Sequence, residues 1–396
     1  MDELRELKVS SIYLYIGDAV RYDHLPPIIA EKGVAMKSVA TSIHTPTSFA
    51  SIFTGTTPVQ NSVWGFADRL SEDIPTILDF GGVSGHFSNT INDKFNEDPK
   101  SESILSKTLG INLTAADDIG NTVPPFVFVE RGPGGHAPYG DFGGNAWEYF
   151  EDRGAASNTQ FKSEYAETVE QDTAWFLSQV ERLRDRGLID ETLVIYTSDH
   201  GELLGEGGSL GHNAPLHPKL IDVPTVFMHP ELEGGVEKDG LLRHVDIFPT
   251  IESLLGKQHD SSLVDGRDIT TEEPAAYGLS FFNKRYFEEV IDRGIRLAYS
   301  GSRDTEGMHV FPRCSRIERL GILGGKAFKS PKRAYLIRHF PEAIRFYLGS
   351  DRQYGNPNLS RDEAKEVLED AYSKHSGTEA EQIDVSKEQL RYLGYL

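Results

Sequence analysis

The chain has 396 residues, of which 38% are hydrophobic and 26% charged, and its formal net charge is −21. This composition supports a well-buried core and excludes global disorder. The negative field disfavours a nucleic-acid binder, and an acidic, well-hydrated surface suits high salt, so we expect a halophilic source. Cys314 is the single cysteine, which excludes an internal disulfide and a Cys-based zinc cluster.

The N-terminal stretch "MDELRELKVSSIYLYIGDAV" is polar before a short apolar run, unlike a signal peptide. No stretch approaches the roughly 18 apolar residues that span a bilayer. We therefore expect a cytoplasmic protein without a membrane span.

Four short runs of β-branched, aliphatic and aromatic residues predict strands that are buried on both faces. They lie at residues 10–17, 124–130, 192–199 and 222–230. Between the second and third runs, apolar residues recur at helical spacing up to Arg186, which predicts a long helix. Because strand, helix and strand form a βαβ unit, we predict an α/β fold with a mostly parallel central sheet and helices on both faces.

The chain is expected to divide at a polar, acidic stretch. Residues 1–256 form the predicted α/β core and end on an amphipathic helix, residues 257–275 form a connection, and residues 276–396 form a small C-terminal subdomain. In that subdomain the runs at 293–300 and 332–340 are interpreted as strands. The tail is interpreted as helical, opening on a Ser-x-x-Glu cap at Ser360.

Polar residues follow the predicted strands where each strand ends. The carboxyl ends of parallel strands form the ligand crevice of such sheets, so Asp18, the loop around His136 and the Asp199-His200 pair are expected along one rim. Each of these alone is more typical of a helix cap or a surface loop. Together, two carboxylates and an imidazole suit a divalent ion such as Zn²⁺ or Mn²⁺.

A loop rich in hydroxyl groups, "SIHTPTSFASIFTG" (42–55), lies between these ligands in the sequence. A metal ion at the rim would lower the pKa of a nearby alcohol and neutralise the oxygens of an anionic ester. Such an arrangement fits phosphoryl or sulfuryl transfer.

Five sequence blocks occur here in an order that resembles the sulfatase branch of the alkaline phosphatase superfamily. They are "YLYIGDAVRYDHL", "TPTSFASIFTGTTPVQNSVWGF", "GHAPY", "DETLVIYTSDHGELLGEGGSLGH" and "HVDIFPTIESLLG", and the ending "EQLRYLGYL" is similar too. The resemblance implies an alkaline-phosphatase-like fold and a divalent metal ion, whether Zn, Mn, Ca or Mg.

Carried over by position, the resemblance implies a role for six residues. The metal ligands are Asp18, Asp199 and His200, the nucleophile is Thr45, His136 contacts the substrate or leaving group, and His212 binds the transferred group. Arg21 and Asp23 match a structural Arg-x-Asp pattern.

Three departures from the family pattern bear on the reaction. Thr45 stands where sulfatases mature a Cys or Ser to formylglycine, Phe49 stands in place of the signature arginine, and Ala19 replaces the second aspartate of an Asp-Asp pair. These departures disfavour the aldehyde route. We therefore expect hydrolysis or transfer of phosphate or phosphonate esters, and less readily of sulfate esters, on a small-molecule, glycan-linked or lipid-linked anionic substrate.

In the predicted mechanism, Thr45 attacks phosphorus, and His136 or His212 protonates the leaving group. Several alternatives stay open: Ser48 as nucleophile, His217 in place of His212, His244 as a second-metal ligand, Glu202 as a partner of His200, and Lys219 or Arg243 as generic anion partners. The function also has alternatives, namely an inactive binding protein with this fold or an atypical sulfatase.

Overall fold

The structure is a computed structural model that describes residues 1–90, 103–111, 118–258, 264–288, 291, 294–374 and 380–385. The similar ending at 388–396 lies outside the described residues. Within them the helices are α1 (Asp2–Arg5), α2 (Pro27–Ala30), α3 (Thr45–Thr54), α4 (Pro58–Asn61), α5 (Ile104–Leu109), α6 (Ala146–Asp152), α7 (Asn158–Asp185), α8 (Pro218–Ile221), α9 (His244–Leu254), α10 (Arg316–Lys329), α11 (Arg333–Arg338), α12 (Phe340–Leu348) and α13 (Arg361–Ser373).

The strands form one large sheet, one smaller sheet and two short ribbons. They are β1 (Ser11–Gly17), β2 (Val34–Val39), β3 (Asp68–Arg69), β4 (Ser84–Asn89), β5 (Phe126–Gly132), β6 (Thr192–Ser198), β7 (Leu203–Leu204), β8 (Leu210–Gly211), β9 (Asp222–Met228), β10 (Val236–Glu237), β11 (Leu242–Arg243), β12 (Gly278–Tyr286), β13 (Ile295–Arg303), β14 (Gly307–Pro312), β15 (Arg352–Gly355) and β16 (Glu381–Gln382).

The large sheet has the strand order β10-β2-β9-β6-β1-β5-β4, with β11 also paired to β2. The strand β1 lies between β5 and β6 and is parallel to both, whereas β9 is antiparallel to its two neighbours. All four predicted strands are present in this sheet. The predicted mostly parallel α/β fold is confirmed.

Alternating side chains of β1 pack against helices on opposite faces of the sheet. On one face, the rings of Tyr13 and Tyr15 lie 6.0 and 5.0 Å from the ring of Phe176 in α7. On the other face, the alternate aliphatic residues of β1 join the core that contains Phe49 and Phe53 of α3. Because both faces are covered, the strand ends are the part of the sheet left for a site.

The smaller sheet is antiparallel, with the order β12-β13-β14-β15, and its core is shared with α10, α11 and α12. Most of the predicted strand at 293–300 lies in β13. The predicted strand at 332–340 is wrong, because this segment is helical. Tyr335 and Leu336 are adjacent and both buried, which suits a helix face and not the alternation of a strand.

The C-terminal helix α13 begins as the sequence predicts. Ser360 is its N-cap, and the Ser360 hydroxyl accepts a hydrogen bond from the Glu363 amide while the Glu363 carboxylate accepts one from the Ser360 amide. This reciprocal pair forms a capping box. Separately, no helix among the described residues combines the length and apolarity that a bilayer crossing needs.

A buried ion pair joins the two sheets. Arg303, at the end of β13, donates from Nε and Nη2 to the two carboxylate oxygens of Asp222 in β9, at 2.9 and 3.0 Å. Only 8% of the Arg303 side chain and 15% of the Asp222 side chain are exposed. A bidentate pair at this depth fixes the small sheet against the large one.

We predict that Asp222→Ala lowers the free energy of unfolding by about 2–4 kcal/mol, because it leaves the Arg303 guanidinium buried without its carboxylate. The matched control is Asp351→Ala. Asp351 pairs with Arg361, whose side chain is 57% exposed, so this change should cost less than about 1 kcal/mol. Urea unfolding measures both, and an equal loss in the two variants would contradict the predicted role of the Arg303–Asp222 pair.

Candidate active site

Asp18 follows the end of β1 and is held by backbone bonds to the loop after β5. Its amide donates to the Gly132 carbonyl at 3.1 Å, and its own carbonyl accepts from the Gly135 amide at 2.7 Å. Gly134 adopts φ +54°, and a Cβ at that position would lie 2.1 Å from the Asp18 carbonyl oxygen. Only glycine permits this approach, which fixes Asp18 at the sheet edge.

Asp199 and His200 follow the end of the neighbouring strand β6. The Asp199 Oδ1 accepts hydrogen bonds from the amides of Ala19, at 3.0 Å, and of His200, at 2.8 Å. Asp18, Asp199 and His200 are fully buried, and one ligand atom of each lies within 4.8 Å of the others. The structure therefore brings together the three residues predicted as metal ligands.

The donor atoms of this acid–histidine cluster (Asp18, Asp199 and His200) suit a divalent cation. Asp18 Oδ1 and Asp199 Oδ2 are buried and accept no hydrogen bond within the described part of the chain. The His200 Nδ1 lies 2.9 Å from the Gly201 carbonyl, so Nδ1 carries the proton and the Nε2 lone pair faces the cluster. Two carboxylate oxygens and one imidazole nitrogen fit Zn²⁺ or Mn²⁺ better than Ca²⁺, which prefers oxygen ligands only.

Arg131, near the end of β5, compensates one of the buried carboxylates. Its guanidinium donates to Asp18 Oδ2. Burial by itself would raise the pKa of Asp18, but the positive charges of Arg131 and of the nearby histidines lower that pKa. For Asp199 the pKa is raised, first by burial and then by repulsion from Asp18. Burial opposes protonation of His200, but attraction to both aspartates raises the pKa of His200.

Thr45 lies directly beside the acid–histidine cluster. It is the first residue of α3, it is fully buried, and its Oγ1 lies 3.3 Å from His200 Nε2. The rival hydroxyl, Ser48, donates instead to the Ser42 carbonyl at 3.0 Å, within its own loop. Thr45 is thus the hydroxyl that the structure places at the cluster, and it sits at the positive end of a ten-residue helix.

The two histidines predicted to contact substrate extend the site. The His212 ring centroid lies 4.4 Å from that of His200 and 5.6 Å from that of His136. The His212 Nδ1 lies 3.3 Å from Glu202 Oε2, so Glu202 is a partner of His212. Burial and the charges of His200 and His136 lower the pKa of His212, so His212 is a neutral imidazole.

The other open histidines lie outside this group. His217 is the N-cap of α8, and its Nδ1 accepts from the Lys219 amide at 3.1 Å. His244 Nε2 lies 2.9 Å from the Ser198 carbonyl and its Nδ1 accepts from the Thr41 amide at 3.3 Å. Both ring nitrogens of His244 therefore tie the end of β6 to the loop before Thr45.

The remaining charged candidates are engaged in ion pairs. Arg21 donates two hydrogen bonds to Asp23, at 2.8 Å each, and Lys219 donates to the same carboxylate at 2.7 Å. Arg243 pairs with Asp246 at the start of α9. These contacts are structural.

Phe49 points into the core and not into the site. It is fully buried, with the rings of Phe53 and Phe87 at centroid distances of 6.0 and 6.5 Å. The Arg131 guanidinium lies 5.8 Å from the Phe49 ring. Arg131 of β5 therefore reaches α3 at Phe49. By resemblance to the family, Phe49 itself stands where the signature carries an arginine.

Comparison with known proteins identifies the family of this chain. The family model "Sulfatase" matches residues 86–257. The Low-salt glycan biosynthesis sulfotransferase Agl7 of Haloferax volcanii is 31% identical over 409 residues, which span 98% of this chain and 96% of that protein. The chain belongs to the sulfatase family. Arylsulfatase K of Bos taurus is 35% identical over 74 residues, or 19% of this chain and 14% of that protein.

Solved structures of two enzymes show the same fold. A 2-O GAG sulfatase superposes with a TM-score of 0.61 at 12% identity, covering 97% of this chain and 96% of that chain. The phosphonate monoester hydrolase of Agrobacterium radiobacter superposes with a TM-score of 0.56 at 13% identity, covering 95% and 100%. This sulfatase-family enzyme thus shares its fold with enzymes named for sulfur and for phosphorus esters.

We predict that a saturating divalent ion, at about 100 times its Kd, raises the free energy of unfolding by about 2.7 kcal/mol. Asp199→Asn should abolish this gain, because the amide keeps the hydrogen bonds to Oδ1 and loses the ligand charge. The metal-free variant should be more stable than the metal-free wild type, because repulsion of Asp18 is removed. Urea unfolding with and without Mn²⁺ measures both effects.

The control for the metal experiment is Asp246→Asn, which changes a buried aspartate that pairs with Arg243. This variant should keep the full Mn²⁺ effect. Equal Mn²⁺ stabilisation of wild type and Asp199→Asn would show that the ion binds elsewhere.

A pH dependence follows from Glu202. Burial raises the pKa of Glu202 from its usual 4.5 to about 7, so its protonated form is favoured in the folded state. Its stabilising contribution is therefore full below pH 4.5 and is lost as the pH rises to about 7. Between pH 4.5 and about 7, the free energy of unfolding of the metal-free protein should fall less in Glu202→Gln than in wild type.

Glu206→Gln provides a control of opposite sign. Burial opposes ionisation of Glu206, but pairing with Arg21 lowers its pKa below 4.5. Its contribution is thus lost as the pH falls, and Glu206→Gln should remove stability at neutral pH instead. Identical pH profiles for the two variants would contradict the assignment of these opposite shifts.

Proposed function

We propose that the protein is a metal-dependent group transferase that moves a sulfuryl group from an anionic ester to an acceptor hydroxyl through Thr45. The observation that carries the proposal is the position of Thr45 Oγ1, 3.3 Å from His200 Nε2 at the buried N-terminus of α3. The similarity over nearly the whole chain to a protein named as a glycan-biosynthesis sulfotransferase supports sulfuryl transfer and a glycan acceptor.

Asp18 Oδ1, Asp199 Oδ2 and His200 Nε2 are the atoms that would hold the divalent ion. When bound, the ion lowers the pKa of a neighbouring hydroxyl and neutralises negative charge on the transferred group. The N-terminus of α3 favours the same anion through its helix dipole. Arg131 keeps Asp18 ionised, so that this carboxylate stays available as a ligand.

In the first step, a bond forms between Thr45 Oγ1 and sulfur while the bond from sulfur to the leaving oxygen breaks. The proton that Thr45 loses ends on the leaving alcohol, and His136 or His212 carries it. In the second step, a bond forms between the acceptor oxygen and sulfur while the bond from sulfur to Thr45 Oγ1 breaks. Neutral His212 accepts the acceptor's proton, and that proton then passes to Thr45 Oγ1. Glu202 orients His212 through Nδ1 for that role.

Transfer or hydrolysis of a phosphate or phosphonate ester is the second candidate. It is supported by the combination of an imidazole ligand with a hydroxyl nucleophile, and by the shared fold with phosphonate monoester hydrolases. The same residues would act in the same roles on phosphorus. The two candidates differ in the group found on Thr45 after reaction.

We predict that Thr45→Ala lowers kcat for 4-nitrophenyl sulfate or 4-nitrophenyl phosphate, with Mn²⁺ present, by about 10³-fold or more. Thr45→Ser keeps a nucleophilic hydroxyl and should retain most of the activity. Release of nitrophenolate measures the rate, and accurate mass of the proteolytic peptide that carries Thr45, taken from the quenched enzyme, distinguishes sulfated from phosphorylated Thr45.

Ser48→Ala is the matched control, because its hydroxyl is engaged with the Ser42 carbonyl. This variant should keep wild-type turnover. If Ser48→Ala were inactive while Thr45→Ala kept full activity, the nucleophile would be Ser48. If both variants kept full activity, the covalent mechanism would be wrong.

A further inference from the structure

Three lysines converge on the loop that carries His212, although the chain as a whole is strongly acidic. Lys284 of β12 donates from Nζ to Asn213 Oδ1 at 3.2 Å, and Lys326 of α10 donates from Nζ to the Asn213 carbonyl at 2.7 Å. Asn213 directly follows His212. We refer to Lys284, Lys326 and Lys332 as the lysine cluster.

Lys332 reaches the other neighbour of His212. Gly211 has φ +81°, and a Cβ on it would lie 2.0 Å from Lys332 Nζ and 3.5 Å from Glu202 Oε1. The absence of a side chain at Gly211 therefore makes room for the ammonium group. The lysine cluster thus contacts the residues on both sides of a histidine that faces the acid–histidine cluster.

Within the described residues, two members of the cluster, Lys326 and Lys332, are not in direct contact with a carboxylate. In the part of the chain that the structure describes, no carboxylate oxygen lies within 4.0 Å of the Nζ of Lys326 or Lys332. Burial, then repulsion by Lys332 and Lys284, lowers the pKa of Lys326 to about 7. Burial lowers the pKa of Lys332, and the negative charge of Glu202 acts to raise that pKa. However, Glu202 Oε2 is already engaged with His212 Nδ1, at 3.3 Å. Grouped cations of this kind are costly unless an anion joins them.

Aromatic rings hold the ammonium groups in place. The Nζ atoms of Lys284 and Lys326 lie 5.4 and 5.5 Å from the ring centroid of Tyr286, and Lys332 Nζ lies 4.2 Å from that of Phe150. All three lysines are half-buried, so part of each residue is exposed to solvent. The ammonium groups are therefore positioned in advance.

The cluster also lies close to the nucleophile. After burial, the charge of Lys284 is the largest influence that lowers the pKa of His44, the residue directly before Thr45. The charge of Lys332 acts to lower the pKa of His212 and the pKa of Glu202. The lysine cluster is therefore within electrostatic reach of the residue before Thr45, and it contacts both neighbours of His212.

We propose that the lysine cluster binds a second tetrahedral oxyanion of the substrate, a phosphate or sulfate group that is not itself transferred. Ammonium groups act as compact point charges with several donors each, which suits a tetrahedral oxyanion, whereas planar carboxylates are matched by the fork of arginine. This proposal rests on the proposed function, because the other oxyanion of the same substrate is the group transferred to Thr45. It makes the cluster the element that selects a doubly anionic substrate.

Inorganic phosphate tests binding without turnover. We expect isothermal titration at fixed ionic strength to show two phosphates per wild-type chain, one at the lysine cluster and one at the Thr45 site. The double variant Lys326→Met/Lys332→Met should keep the phosphate at the Thr45 site and lose the one at the lysine cluster. The Kd of the lysine-cluster site should be weakened by about tenfold or more. Lys329→Met is the matched control, because Lys329 is an exposed lysine on the same helix, and it should bind two phosphates.

The outcomes separate the two proposals. If the wild type binds a single phosphate that the double variant loses, the lysine cluster stands and the proposed Thr45 site is in doubt. If wild type and double variant bind phosphate equally, the lysine cluster is overturned. The anion-free double variant should be at least as stable to urea as wild type, because mutual repulsion is relieved. A loss of binding with a loss of stability would overturn the assignment in favour of a structural role.

Kinetics test the selection of substrate. With 4-nitrophenyl sulfate and an analogue bearing a phosphate on the ring, Lys326→Met should raise the KM of the doubly anionic ester by about tenfold or more relative to its effect on the simple ester. An analogue with a ring carboxylate in place of the phosphate should show a smaller difference. Equal effects on all three esters would contradict a dedicated oxyanion subsite.

Discussion

The site depends on placing two carboxylates, Asp18 and Asp199, side by side in the protein interior. Two such charges repel each other, and each loses its hydration. Backbone amides satisfy one oxygen of Asp199, and the Arg131 guanidinium satisfies one oxygen of Asp18. Each carboxylate is left with one buried oxygen that accepts no hydrogen bond within the described residues. A cation between these oxygens resolves both the repulsion and the missing contacts.

Histidines and lysines surround this pair in successive layers. His200 Nε2 lies 3.5 Å from Asp199 Oδ2, His212 lies beyond His200, and the lysine cluster lies beyond His212. The field therefore becomes more attractive to anions with distance from the acids, in a chain whose net charge is −21. Under the proposed function, such an order would attract an anionic ester and orient its reactive end toward Thr45.

The parts of the site that were predictable follow from strand ends. The runs at 10–17 and 192–199 had the pattern of buried strands, and residues that end adjacent parallel strands meet at one edge, so Asp18, Asp199 and His200 were expected together. Thr45 was placed by resemblance to the family and not by its pattern. His244 was open as a ligand, and its hydrogen bonds to Ser198 and Thr41 show a structural tie that no spacing reveals.

The parts that escaped prediction come from residues far apart in the chain. Arg131 lies near the end of a strand that is mostly apolar in sequence. No local sequence pattern indicates that its side chain contacts Asp18. The lysine cluster is drawn from β12, α10 and the turn before α11, in a region where the pattern is irregular. There the aromatic and basic run at 332–340 predicts a strand, whereas the segment is helical. The local sequence pattern predicts helices and strands, whereas the partners of charged side chains depend on how the sheets pack together.

Phe49 has a consequence for the evolution and engineering of this fold. By resemblance to the family, Phe49 stands where the formylglycine signature carries an arginine, and its side chain here packs in an aromatic core with Phe53 and Phe87. Replacing Thr45 by cysteine and Phe49 by arginine would bury a guanidinium among those rings. Introducing the arginine would therefore require changes in the core around Phe49 as well as at Thr45.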